Sequence, residues 1–357
     1  MTNFNLDVVQ RAAAEAVQAA NSPAGRTALA STAAVVLGLT AVSRFNRLLS
    51  NYAVGNPLFG TTSSQWSDWS KEIVLVTGGS SGMGRIMVIE FAKRGVTVVV
   101  LDRQAPLQKG DARDAYKSIG ENDDDDRFPG PAQGVHFYEF DLTGPDSELE
   151  ELAARIRREV GEPTVLINNA GIGHGLSLLE ATNDQMRAVF AINAVAPIRM
   201  TREFLPSMIR NHHGHVVNMA SMASFVTIAS NVDYSCTKAG LLAFHEGLTQ
   251  ELKYRYNAPE VRTTVIHPHF VKTPLLGEAA IEPSAEIKRR FQGDLLDPRT
   301  VAVGVVEHVL AGKSGQLFYP PKFAVATILR GMPTWLQERV RGQLSPILTR
   351  PMAMGEK

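Results

Sequence analysis

A tyrosine, a lysine and a serine stand at spacings that suit proton transfer. Tyr234-Ser235-Cys236-Thr237-Lys238 opens into KAGLLAFHEGLTQELKYRY, a segment with helical periodicity. In a helix Tyr234 and Lys238, four apart, share one face. A phenol with an ordinary pKa of about 10 is a poor base near neutrality, and a neighbouring ammonium lowers it by stabilising the phenolate. Tyr234 can then exchange a proton with an alcohol or carbonyl oxygen. Thirteen residues upstream, where the run HVVNMA ends, Ser221 can set a hydroxyl on the same oxygen, and Ser224 competes for that role. The Y-x-x-x-K pattern alone recurs by chance, so the assignment depends on the rest of the chain. His174 and His269 could also face a substrate, although a lone histidine is more often structural.

A second constellation suits phosphate. The run IVLVT leads into Thr77-Gly78-Gly79-Ser80-Ser81-Gly82-Met83-Gly84 and then RIMVIEFAKRG, an order of strand, glycine-rich turn and helix. Gly78, Gly82 and Gly84 let the backbone turn tightly and approach a pyrophosphate, which then faces the unpaired N–H groups at the positive end of the helix; Ser80 and Ser81 lie in the same turn. The spacing is G-x-x-x-G-x-G, not the common G-x-G-x-x-G. The next strand ends at Asp102, 18 residues after Gly84, where a carboxylate binds ribose hydroxyls and repels a 2′-phosphate. The expected cofactor is NAD(H) in preference to NADP(H), with Arg103 as the neighbour that could receive that phosphate. An oxidised nicotinamide beside Tyr234 would lower the phenol further.

The elements that must position these groups alternate along the chain. Apolar runs at 73–77, 96–102, 135–141, 164–169, 215–220, 261–268 and 316–320 are separated mostly by helix-length segments. Continuous apolar strands between helices predict an α/β fold: one Rossmann-like, doubly wound domain with a mostly parallel seven-stranded sheet. In 357 residues, 36 basic side chains balance 36 acidic ones, so no net field recruits nucleic acid. The single cysteine, Cys236, excludes an internal disulfide and a cysteine-rich metal site, and no metal is expected. The acidic run at 121–131 reads as a solvated loop.

Taken together, TGGSSGMG at 77–84, Asp102, Asp141-Leu142, Asn168-Asn169-Ala170-Gly171, Asn193, Ser221 and YSCTK at 234–238 resemble the short-chain dehydrogenase/reductases over about residues 70–320. The resemblance implies an NAD(P)-dependent oxidoreductase that interconverts an alcohol and a ketone or aldehyde. It implies a Ser221, Tyr234 and Lys238 triad, with Asn193 completing a tetrad through a water-linked proton relay. By the same likeness Asp141 and Leu142 border the adenine, Asn169 and Gly171 line the cofactor cleft, Lys238 bonds the nicotinamide ribose, and Thr273 bonds the carboxamide. The 13-residue spacing to Tyr234 favours Ser221 over Ser224. A silent nucleotide-binding sensor of the same fold is the alternative, and the intact Ser, Tyr and Lys set argues against it. One departure is His269, where the family usually has glycine, which puts a side chain where the backbone needs freedom. That replacement and the apolar ends are similar to the membrane-associated branch that includes retinol and hydroxysteroid dehydrogenases. Helices near 182–211 and 233–257 are those through which relatives dimerise, so a homodimer is expected.

The expected division is an N-terminal extension (1–66), a catalytic domain (67–320) and a C-terminal extension (321–357). Residues 4–20 read as an alanine-rich helix and 50–70 as a connector. Residues 27–43 carry no charge and as a helix would span roughly 26 Å against a hydrocarbon core of about 30 Å; a membrane anchor and a buried soluble helix both fit. After Thr273, Leu275, Leu276, Ala279, Ala280 and Ile281 suit an apolar lid, which points to a lipophilic small-molecule substrate of steroid, retinoid, fatty or secondary-metabolite type, or else merely packs on the body. Residues 322–340, broken at Gly331 and Pro333, could lie in a membrane interface or cover the protein's own surface. Expected partners are that substrate, a membrane and a second copy, but no nucleic acid. The expected location is intracellular, at the cytoplasmic face of the endoplasmic reticulum or a lipid droplet where the ends meet a membrane.

Overall fold

A computed structural model of the chain describes residues 22–56, 66–106, 128–276 and 295–349. The helix expected at 4–20, most of the acidic run, and the lid residues Ala279, Ala280 and Ile281 lie outside them. The first helix, α1 (Pro23–Ala53), is a unit by itself. It has the length to span a bilayer, but among the described residues no helix is both long and apolar enough to cross a membrane. Residues 27–43, expected as a membrane anchor or a buried soluble helix, lie within α1, with Ala, Thr, Ser and Gly interspersed among the Leu and Val.

The second unit is built on seven strands in the order β3-β2-β1-β4-β5-β6-β7, every neighbouring pair parallel. These are β1 (Ile73–Thr77), β2 (Thr97–Asp102), β3 (Val135–Glu139), β4 (Val165–Asn168), β5 (His215–Met219), β6 (Arg262–Pro268) and β7 (Gly315–Tyr319). Side chains alternate between faces, as a pleated strand requires. Val74, Val76, Val98 and Val100 pack on one side with Met87 and Phe91 of α2 (Gly82–Lys93) and Val301, Val305 and Val309 of α7 (Pro298–Leu310). Leu75, Val99 and Leu101 pack on the other side with Ile156 of α3 (Asp146–Glu159), Phe204 and Met208 of α5 (Ala196–Arg210), and Leu248 of α6 (Val232–Tyr254). Each such fully buried side chain contributes about 1.5 to 3 kcal/mol, so both faces hold the central strands. The chain order reverses between β1 and β4, which opens a crevice at the carboxyl ends of those strands.

The helix expected near 182–211 is α4 (Asn183–Phe190) running into α5 through one π turn, Ala191–Val195, where Ala196 N donates to Ala191 O. Sequence at both ends of the domain also packs on it. Trp66, at the end of the expected connector, is buried, stacks on Trp69 at 5.2 Å and lies 4.2 Å from the His213 ring. Beyond residue 320, a 3-10 segment (Pro321–Gly331) precedes α8 (Thr334–Leu344), and Leu329 and Ile347 are buried. Arg330 Nη2 donates to Ser224 O at 2.8 Å, and Ser345 Oγ accepts from Ala229 N at 3.2 Å. Val325 and Ile328 of the 3-10 segment and Trp335 of α8 are exposed.

Candidate active site

The glycine turn joins β1 to α2 and is closed by its neighbours. Gly78 takes φ +65°, and a Cβ there would lie 2.9 Å from Ala170 Cα. A Cβ at Gly84 would collide with Gly78 O and sit 2.6 Å from Asn169 Nδ2. The two backbones touch because Asn169 Nδ2 donates to Thr77 O and Gly78 O, each at 3.0 Å, while Thr77 Oγ1 accepts from the N–H groups of Asn169 and Ala170. Asn169, expected to line the cleft, thus spends its amide on holding the turn. Gly82, with φ +52°, leads α2, and Ser81 caps the helix without a side-chain hydrogen bond. Ser80 Oγ is buried with no partner among the described residues. Uncapped first-turn N–H groups, an unpartnered hydroxyl and a cradle that a Cβ would fill all fit a pyrophosphate.

Asp102 closes the same turn from β2. Its Oδ2 accepts from Ser80 N at 3.0 Å and its Oδ1 from Gln104 N at 3.2 Å, which leaves lone pairs on each oxygen for ribose hydroxyls. Arg103 lies 4.0 Å from Asp141 Oδ2. Asp141 Oδ1 accepts from Thr143 N and Thr143 Oγ1, which holds its carboxyl below the usual range, and half-buried Leu142 follows with its carbonyl on Arg199 Nη1.

Ser221 follows β5, and Tyr234 and Lys238 lie on the first turns of α6. Lys238 is buried, its Nζ donates to Met219 O at 2.8 Å, and burial lowers it to about 8. Nζ stands 5.4 Å from the Tyr234 ring centroid. Burial pushes the Tyr234 phenol up to about 12, and a hydrogen bond from the Ser221 hydroxyl opposes that rise. The expected lowering of the phenol is thus not a property of the isolated chain, where desolvation by burial outweighs the Ser221 hydrogen bond. Ser224, the competing serine, donates its hydroxyl to Lys238 O at 2.8 Å and has a packing role.

Asn193, in the π turn, is fully buried; its Oδ1 accepts from Ile172 N at 2.9 Å and its Nδ2 donates to Ile172 O at 2.8 Å. Gly171 lies beside this link, its Cβ position 3.5 Å from Asn193 Oδ1 and 3.6 Å from Lys238 Nζ. Thr273 is buried over the glycine turn, its Cγ2 3.7 Å from the Cβ position of Gly82.

His269 causes no disturbance of its backbone: its N–H donates to Tyr319 O at 2.8 Å, and its ring stacks on Phe323 at 4.7 Å. The expectation of perturbed geometry there is corrected, because the segment beyond residue 320 supplies a surface for the ring. Two further groups escaped sequence reasoning. His267 Nδ1 faces Ser221 O at 3.2 Å, with the ring 4.8 Å from Phe225 and 5.0 Å from Phe318. Asp233, beside Tyr234, is buried and 2.8 Å from His174. Helical position could have flagged Asp233; nothing local in sequence signals the contact of His267. No cluster of metal-ligating side chains occurs among the described residues.

A family profile described as short chain dehydrogenase matches residues 72–283. Dehydrogenase RED2 of Cochliobolus heterostrophus is 38% identical over 231 residues, covering 65% of this chain and 80% of that protein. Epidermal retinol dehydrogenase 2 of Mus musculus is 31% identical over 267 residues, covering 74% and 79%. Among solved structures, a short-chain dehydrogenase from Streptomyces avermitilis superposes with a TM-score of 0.55 at 25% identity, covering 77% of this chain and 96% of that one.

Proposed function

The chain belongs to the short-chain dehydrogenase family and is an NAD(P)-dependent oxidoreductase acting on alcohols; from that premise we propose that Tyr234 moves the proton and that the substrate is lipophilic. The observation that carries this reading is the convergence of Ser221, Tyr234 and Lys238, with the Ser221 hydroxyl acting to lower the phenol and Lys238 Nζ 5.4 Å from the centroid of its ring. When bound, the nicotinamide supplies or removes the hydride. Ser221 orients the substrate oxygen, and Tyr234 takes or returns its proton. Lys238, held by Met219 O, keeps a positive charge beside the phenol and can reach a ribose hydroxyl. Asn193 fixes the loop that faces this chemistry.

The N–H groups of Ser81, Gly82 and Gly84 and the Ser80 hydroxyl would hold the pyrophosphate, with Gly78, whose N–H is donated to Leu101 O, shaping the turn; Asp102 would hold the adenosine ribose, Asp141 and Leu142 the adenine side, and Thr273 the carboxamide. Asp102 supports NAD(H) over NADP(H), and Arg103, drawn toward Asp141, is less able to receive a 2′-phosphate. A lipophilic substrate is supported by Leu275, whose Cδ1 is 3.8 Å from the Cβ position of Gly173, itself 3.4 Å from the Tyr234 ring. Exposed Leu178 and Leu179 lie on the same loop as Gly173. The retinol-named relative acts in the same direction.

The test is a screen of lipophilic alcohols and ketones, all-trans-retinol included, with NAD(H) and NADP(H), read as absorbance of the reduced nicotinamide. Tyr234→Phe should lower turnover about 100-fold or more while NADH binding persists. Equal turnover by the variant and the parent would refute the assignment.

A further inference from the structure

We propose that His174 and Asp233 form a positioning pair, which holds the Tyr234 phenol in place by tying the loop after β4 to the first turn of α6. This rests on the role given to Tyr234 above. Asp233 is buried: Oδ1 accepts from Tyr234 N at 2.8 Å, and Oδ2 lies 2.8 Å from His174 Nε2. Both atoms are buried and neither has an aligned hydrogen-bond partner among the described residues, so the pair is one of close approach between two otherwise unpartnered polar atoms. Leu176 N donates to His174 Nδ1 at 3.3 Å, so the ring proton sits on Nε2, the nitrogen beside the carboxylate.

The residue between the two anchors of that loop is the one that meets the phenol. Ile172 is held on both its N–H and its carbonyl by Asn193, and His174 is held by Asp233. Gly173 lies between them, and its Cβ position is 3.4 Å from Tyr234 Cδ2. The loop backbone is therefore a wall against one side of the ring, clamped on either side of the contact. Asn231, at the head of α6, supplies no side-chain cap, so Asp233 is also the carboxylate that satisfies an N–H of the first turn. Loss of the pair frees the wall and the turn together. A misplacement of about 1 Å in a group that transfers a proton costs up to roughly 100-fold in rate.

The test uses the full chain and the alcohol that the parent turns over fastest in the screen above. Four variants are compared: His174→Leu, His174→Gln, Asp233→Asn and Tyr234→Phe. In Asp233→Asn the amide still accepts from Tyr234 N but turns a donor toward Nε2–H. Expected is a loss in kcat of about 10- to 100-fold for His174→Leu and Asp233→Asn. KM for the alcohol and Kd for NADH should stay within about threefold of the parent. Glutamine at 174, whose amide can reach Asp233, should recover most of the rate. Parental kcat in His174→Leu overturns the pair while leaving Tyr234 intact, provided Tyr234→Phe is inactive. A loss shared equally by NADH binding and thermal midpoint, without recovery in His174→Gln, also overturns it and marks a purely structural role. An active Tyr234→Phe, or a screen in which nothing is turned over, removes the reading beneath it.

Discussion

Replacing Gly84 with alanine tests the phosphate cradle through a single methyl group. The added carbon would sit 2.6 Å from Asn169 Nδ2 and collide with the Gly78 carbonyl, closer than the 3.0 Å below which real Cβ atoms essentially never come. Two of these neighbours are backbone atoms of the turn, so relief requires the turn to open or the Asn169 amide to leave. Overpacking of this kind costs about 1 to 3 kcal/mol, and losing the two Asn169 bonds to Thr77 O and Gly78 O adds about 1 kcal/mol each. A total of about 3 to 5 kcal/mol can appear as lower stability, as weaker cofactor binding, or as a division between them. Placed wholly on binding, it weakens NADH by roughly 100-fold or more. Fluorescence titration with NADH and urea unfolding of the same preparation measure the two parts. Gly240→Ala is the control, because it lies exposed in α6 with nothing within 4 Å of its Cβ position and should gain about 0.5 to 1 kcal/mol. If Gly84→Ala binds NADH and unfolds as the parent does, the contact geometry argued for the cradle is wrong.

Further outcomes follow from other contacts. Asp102→Ala should weaken NAD(H) more than NADP(H) and also loosen the Ser80 amide; equal losses in titrations of both cofactors would contradict the ribose assignment. Burial lowers His245, His267 and His308 each to about 4, so their stabilising contribution is complete above pH 6.5 and is lost as pH falls toward 4. Thermal midpoints should drop steeply across that window, and less steeply in His308→Gln. Arg330→Ala removes the guanidinium from Ser224 O and Phe225 O; a stability loss of about 1 to 2 kcal/mol is expected from unfolding curves, with kcat reduced because the loop after Ser221 is released.

The central strands were legible because they are short runs rich in β-branched residues and covered on both faces; the run at 73–77 is β1, and that at 96–102 differs from β2 by one residue. The glycine turn and the Tyr234 to Lys238 spacing were legible because each is local to one turn or one helix. What escaped depends on residues far apart in the chain. The Asp102 bond to Ser80 N forms only once β2 lies beside β1, and His267 reaches Ser221 O only across the β5 and β6 pairing. The same holds at His269, where sequence suggested a disturbed backbone and Phe323, 54 positions later, provides a stacking partner.

The π turn before α5 bears on how the long helix keeps time with the sheet. Val189 and Met208 are both buried, although 19 residues separate them. Five turns at 3.6 residues consume only about 18, so a regular α-helix would arrive at Met208 rotated by about 100°. The wider turn absorbs the surplus residue and returns the apolar stripe to phase. Asn193 sits inside that surplus, buried and bonded to Ile172 rather than to its own helix. The one surplus residue therefore does two things: it restores the phase of the apolar stripe and carries the amide that fixes the loop facing Tyr234.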